Sequence, residues 1–421
     1  MSSFKSLSVY FLGCLSLLLG LALDENSSGG GKIDFDYLFP YVEAFSYSLK
    51  SGLEIFTSDA GSIIHSPVFY VLISLIYNLV NKVIIIKILY IVLSTFLPII
   101  FFFILKDKFK INKDTLFIFS LIIFLSPYFR SSAIWLLGDN LSLIFFGLSI
   151  FYFNKVNELN NDNFKDYFLC IFFLILCCYI RYYFCLFSLY FLFLFYQKLQ
   201  KKYFLLLITI SLTLSLPAIF YFYYIFLNYD FGITVKNYSQ LNIYSNSLII
   251  LSILLFYLLP FCVLQKNSFF EYLKRNRKII FIFSSLYFIF NFIGQFFFIN
   301  LIDFSSKGGG VFMKIAKLST INQSLFLSTI SLISLIILDY FLREKRLQNY
   351  ILLIILIFSF PVFTIYQKYF DPLFFLIFFG LIKSNNLKNL FLKGKDFLIP
   401  IFIYFLFFYF FSLIYYSKGF N

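Results

Sequence analysis

Residues 83–105 read VIIIKILYIVLSTFLPIIFFFIL, and Lys106, Lys108, Lys110 and Lys113 follow at once. A helix needs about 20 apolar residues to cross a bilayer, and this run supplies them. Lysines just past a span mark its cytoplasmic end. The pattern repeats along the chain. Other runs fall at about 7–23, 114–129, 138–153, 167–180, 183–197, 203–226, 247–264, 278–301, 324–342, 350–366, 372–384 and 397–416. The reading is an all-α polytopic membrane bundle of about 13 spans, forming one transmembrane domain over 1–421.

Composition agrees. Of 421 residues 61% are hydrophobic and 13% charged, with 67 Phe and 33 Tyr. A soluble domain carries roughly 45–50% apolar and about 25% charged residues. That difference excludes a soluble enzyme, a disordered chain and a coiled coil. The net charge of +14 sits in short loops between apolar runs, with no basic domain or tail. It therefore points to cytoplasmic loops and away from nucleic acid. All six cysteines lie inside apolar runs and read as small buried hydrophobes, without a disulfide framework or metal-ligand spacing. The run 7–23 follows Lys5 and lacks a small-x-small cleavage site, so it reads as an uncleaved first span.

The run 64–80 decides the topology. If it spans, Lys106 to Lys113 fall outside and every later loop changes sign; if it lies along the interface, most of the 34 Lys and Arg stay inside. It is read as non-spanning, with a cytoplasmic N-terminus and an external C-terminus. The outer face then holds the first outer loop, 24–82, with interfacial helices, and a loop at 302–323 read as mobile. The only His and the only Trp of the chain, His65 and Trp135, also fall outside. Ionisable groups at a membrane edge are costly unless used or paired, so the chemistry is expected there.

The first outer segment runs Asp24-Glu25-Asn26-Ser-Ser-Gly-Gly-Gly-Lys32-Ile-Asp34-Phe-Asp36, and 37–50 looks like an interfacial amphipathic helix. Gly29 to Gly31 let the backbone turn sharply or approach a ligand. Asp34 and Asp36 are candidate catalytic carboxylates, one as a general base; capping the helix is the other use of such acids. Asp59 and His65 are candidate substrate contacts, although a lone His at the start of an apolar run is more often a hydrogen-bonded structural group. Arg130, Trp135 and Asp139 form an outer polar patch: Arg suits a phosphate, and Trp a sugar face or an interfacial anchor. Arg181 stands between two apolar runs and needs an acidic partner or a bound phosphate. Lys368 and Tyr369 sit in the link Tyr366-Gln367-Lys368-Tyr369-Phe370-Asp371-Pro372. These cations converge on a lipid phosphate or act separately as snorkelling anchors. Lys307-Gly308-Gly309-Gly310 lacks the order of a P-loop, and no nucleotide, zinc or haem motif is present.

The order of these features resembles the GT-C glycosyltransferases, and within them the dolichyl-phosphate-glucose alpha-1,2-glucosyltransferase family and its bacterial polyprenol-dependent relatives. Asp34-Phe35-Asp36-Tyr37 resembles that family's acidic pair, though Phe35 separates the two acids here. Asp59 through Pro67-Val68-Phe69-Tyr70, Pro127-Tyr128-Phe129 with Asp139-Asn140, Ile180-Arg181-Tyr182-Tyr183 and the 366–372 link occupy matching places. The resemblance covers mostly residues 24–185. It implies an inverting transfer of sugar from a polyprenyl-phosphate donor to a glycan or lipid-linked acceptor, without metal or other cofactor. Asp34 would act as base, Asp36 or Asp59 would orient the acceptor, and Arg181, Lys368 and Arg130 would stabilise the phosphate. The setting would be a bacterial inner membrane with a periplasmic site, or the endoplasmic reticulum. A polysaccharide polymerase or ligase, and a lipid-linked sugar flippase, are the competing readings. The flippase predicts an internal repeat, which the sequence lacks.

Overall fold

The computed structural model describes residues 2–58, 66–158, 163–228, 243–297, 308–318, 322–360 and 364–417. Asp59, His65 and Lys307 lie outside them. The chain divides into two compact units, Met1–Thr234 with Phe402–Asn421, and Val235–Ile401. Among the described residues both are helical, without strands.

The first unit opens with α1 (Ser2–Ala22), α2 (Gly31–Tyr47), α3 (Leu49–Ser58) and α4 (Val68–Val80). It continues with α5 (Val83–Ser94), α6 (Phe96–Phe109), α7 (Lys113–Ser120), α8 (Pro127–Ile134), α9 (Asp139–Glu158), α10 (Phe164–Ile180), α11 (Phe187–Tyr196) and α12 (Lys201–Asn228). The second unit holds α13 (Ile243–Leu264), α14 (Lys266–Phe297), α15 (Gly310–Leu318), α16 (Gln323–Leu342), α17 (Arg346–Phe358), α18 (Leu373–Gly380) and α19 (Asn385–Leu392). The last helix, α20 (Lys395–Ser417), gives its part from Phe402 onward to the first unit.

Among the described residues six helices are long and apolar enough to cross a membrane: Val83–Phe109, Lys201–Tyr224, Tyr244–Leu264, Lys266–Ile293, Gln323–Leu342 and Lys395–Ser417. The pair Lys113–Leu125 and Pro127–Ile134, bent by 67°, adds a seventh if counted as one span. Along α12 and α14, Leu205, Leu212, Phe220, Phe281, Phe290 and Phe292 stand exposed. So much bare apolar surface is stable only in lipid, and the chain reads as an integral membrane protein.

Several expected spans fall on shorter helices, such as Ser6–Ala22, Tyr182–Tyr196 and Arg346–Phe358. Local chemistry explains some of the breaks. Ser126 caps α8 by accepting from Phe129 N at 2.9 Å, with Pro127 opening the helix, so an apolar run starts a second axis there. The 13 residues of α4 reach only about 20 Å at 1.5 Å each, short of a hydrocarbon core of about 30 Å.

The helix expected over 37–50 begins at Gly31, six residues earlier. Its N-cap is Gly30, so Asp34 lies in the first turn and Asp36 beyond it, both within the helix. In the second unit, residues 308–318 of the loop expected to be mobile are anchored. Gly309 N donates to Ile365 O at 2.7 Å, and Gln367 Oε1 accepts from Val311 N at 3.2 Å.

Candidate functional site

One aromatic core organises the part of the first unit around α2. Tyr41, Val42 and Phe45 of α2 pack with Phe56, Phe69, Tyr70, Ile86, Tyr90, Leu136, Leu141 and Ile180. α2 therefore rests on α3, α4, the start of α5 and the two turns that carry Asp139 and Arg181.

Those turns are tightly held. Leu137 O accepts from Tyr90 Oη, and from Ser132 Oγ at 2.9 Å. Asn140 Nδ2 donates to Phe129 O at 3.0 Å and to Ser94 Oγ at 3.2 Å. The result fixes Asp139 in the first turn of α9. Arg181 ends α10 in extended backbone and meets Asp139 edge-on, Nε to Oδ1 at 2.9 Å and Nη2 to Oδ2 at 3.0 Å. The acidic partner that Arg181 was expected to need is Asp139.

Tyr70 lies at the centre. It is buried, and its phenol feels the charges of Arg181, Asp139, Asp34 and Tyr37. Burial pushes its pKa up to about 12; Arg181 opposes the rise, while Asp139 and Asp34 add to it. Asp34, half-buried on α2, thus shares one electrostatic neighbourhood with the Arg181–Asp139 pair. Residues two apart on a helix point about 200° apart. Asp36 accordingly faces elsewhere, is exposed, and acts on Lys87.

Arg130 has a different surrounding from the one expected of a phosphate ligand. It is 4% exposed and pairs with Glu25 through Nε at 2.8 Å and Nη2 at 2.5 Å. Nη1 and Nη2 also reach Ser16 Oγ at 2.8 Å and Ser16 O at 2.9 Å. Its guanidinium lies 4.7 Å from the Tyr409 ring, and Tyr409 Oη donates to Glu25 Oε2 at 3.0 Å. Trp135 is buried as well, with Nε1 donating to Glu25 O at 2.8 Å. One face of its indole is taken by Lys87, 4.3 Å from the ring.

The glycine run serves this packing. A Cβ on Gly31 would meet Ser131 Oγ at 2.1 Å and Trp135 Cδ1 at 2.7 Å. The close approach that Gly31 makes is to α8, and α2 needs it to sit over Trp135.

Lys368 and Tyr369 belong to the second unit, where Lys368 is exposed 5.5 Å from the Tyr366 ring and Tyr369 stacks on Phe360. Among the described residues no group of three His, Cys, Asp or Glu is placed to hold a metal ion. Glu25, Ser16, Tyr70, Lys87 and Tyr409 were not singled out by sequence. Lys87 alone carried a local signal, a cation five residues into an apolar run. No protein-family model, curated protein or solved structure matches the chain.

Proposed function

We propose that the protein is a membrane glycosyltransferase that takes sugar from a polyprenyl-phosphate donor at the extracytoplasmic face. The observation that carries this reading is that the charges of Asp34 and of the Arg181–Asp139 pair all act on the one buried Tyr70, beside an apolar bundle.

In the step proposed, an acceptor hydroxyl attacks the anomeric carbon of the donor. The bond from that carbon to the phosphate oxygen breaks, and the phosphate leaves with its electron pair. Asp34 takes the hydroxyl proton as general base. Arg181, held in one orientation by Asp139, fixes the field around Asp34 and orients the acceptor. Because the sugar arrives on a lipid phosphate, an acid and preorganised charge suffice as protein groups. Arg130 leaves the set of phosphate contacts, since its donors are spent on Glu25 and Ser16.

The test uses membranes containing the protein, a radiolabelled polyprenyl-phosphate hexose, and glycan or lipid-linked acceptors. Transfer is expected for the wild type, and Asp34→Asn should lower it by about 10²–10⁴-fold, the usual worth of a general base. Full transfer by that variant, or transfer from a nucleotide sugar without any lipid intermediate, would overturn the proposal.

A further inference from the structure

Lys87 is the charged side chain that the arrangement above leaves unexplained. It sits in the stretch Val83–Phe109, is 8% exposed, and has its ammonium 3.8 Å from the Phe35 ring and 4.3 Å from Trp135. A lysine here is expensive unless it is paired or used. Two ring faces offset part of that cost. They accept none of the three N–H donors of an ammonium.

The surrounding charges leave those donors open. Among the described residues Lys87 has no hydrogen bond and no ion pair. Asp24 pairs with Lys32 at 3.6 Å, and Asp24 and then Asp36 act on Lys87 only at a distance. Arg130 and Arg181 each spend two guanidinium nitrogens on a carboxylate. Lys32 stands 5.5 Å from the same Trp135 ring, so two ammonium groups share one indole and repel each other. A dianion placed against both would relieve the repulsion and fill the donors. A phosphate monoester carries about −1.5 to −2 charge at neutral pH, with three acceptor oxygens.

We propose that Lys87, framed by Phe35 and Trp135 and assisted by Lys32, is the anchor of a phosphate-monoester subsite at the membrane edge. The choice of a prenyl phosphate as occupant rests on the transfer reading; the subsite itself rests on the buried, unpaired cation. Phe35 and Trp135 hold the ammonium in place from two sides, and the carboxylates of Asp24 and Asp36 face it only at a distance. In the transfer reading this subsite would take the prenyl phosphate released when the donor's anomeric bond breaks.

Trp135, the only tryptophan of the chain, reports on the site directly. The full chain in phosphatidylcholine nanodiscs is titrated with farnesyl phosphate, farnesol and inorganic phosphate, following Trp135 fluorescence and, in parallel, retention of tritiated farnesyl phosphate. Farnesyl phosphate should give a saturable change and farnesol none. A response to inorganic phosphate equal to that of farnesyl phosphate would assign the subsite to free phosphate. Lys87→Met should bind at least about tenfold more weakly, the loss expected when a charge-assisted hydrogen bond to an anion is removed.

Lys32→Gln, at an exposed position, gives a second measure should Lys87→Met fail to fold, and should weaken binding by a smaller factor. Unchanged binding in Lys87→Met, or in Lys32→Gln where only that variant folds, overturns the subsite, as does equal binding of farnesol. Lys87-dependent binding without sugar transfer would overturn the transferase reading and leave the subsite standing. Normal transfer and binding in Lys87→Met would do the reverse.

Discussion

Removing Arg130 separates its two possible roles. Its side chain and that of Glu25 are 5% and 6% exposed, so each neutralises a charge that water does not reach. Deleting one partner of such a pair costs about 3–5 kcal/mol, because the other is left buried and uncompensated. Arg130→Met strips Glu25 of two donors, leaves Ser16 without its guanidinium contacts and removes the cation from the face of Tyr409. For a folding unit of roughly this size each kcal/mol moves the midpoint by about 2–4 °C, so the loss is roughly 6–20 °C. Protein in mild detergent is heated for a fixed time, and the fraction eluting as a monodisperse peak is plotted against temperature. Arg130→Met and Glu25→Leu should each lower the midpoint by that amount. The double variant Glu25→Leu with Arg130→Met should recover most of it, because an apolar pair of similar volume carries no desolvation penalty. If Arg130→Met keeps the wild-type midpoint while the KM for the lipid donor rises, Arg130 is a ligand contact and the structural assignment fails.

Gly20→Ala places a Cβ 2.6 Å from Glu25 Oε2 and 2.7 Å from Ile134 Cδ1; it should destabilise by about 1–3 kcal/mol, read in the same heating assay. Gly31→Ala should also lift α2 off Trp135, seen as a red shift of its fluorescence. Tyr70 has its pKa raised from 10.0 to about 12 in the fold, so its contribution is complete below pH 10 and is lost as pH rises towards 12. Tyr70→Phe should therefore lose less stability than wild type between about pH 9 and 11.5, by up to roughly 2 kcal/mol. Arg181→Lys replaces a two-nitrogen contact with a point charge and should lower kcat for transfer by about tenfold or more with little change in midpoint; an unchanged kcat would remove Arg181 from the site.

What could be read from the sequence follows from how far each interaction reaches along the chain. Membrane character was legible because lipid selects composition directly, and 83–105 needs no partner to declare itself. The span count was not, because a break such as Ser126-Pro127 or Arg181 costs only one or two residues and leaves the apolar run looking continuous. The demand that Arg181 find an acid was legible, since a bare cation between apolar runs is too costly to stand alone. Its partner is 42 positions away, yet Asp139 lay in a patch already marked as polar. Arg130 looked no different from Arg181 in sequence. Its pairing with Glu25 crosses 105 positions, and Tyr409 reaches the same carboxylate across 384, so nothing local distinguishes a structural arginine from a ligand-binding one.

Lys87 reverses that lesson. Its burden is visible in the sequence as a charge within an apolar run, the same physical signal that singles out Arg181. The structure gives the two residues opposite outcomes under one rule. A cation at membrane depth must be answered; Arg181 is answered by Asp139, whereas Lys87 is flanked by two aromatic rings that accept no hydrogen bonds. A protein-supplied carboxylate there would give stability without a vacancy, so the absence of one among the described residues is what makes Lys87, ahead of either arginine, the cation with bonding capacity left for a ligand.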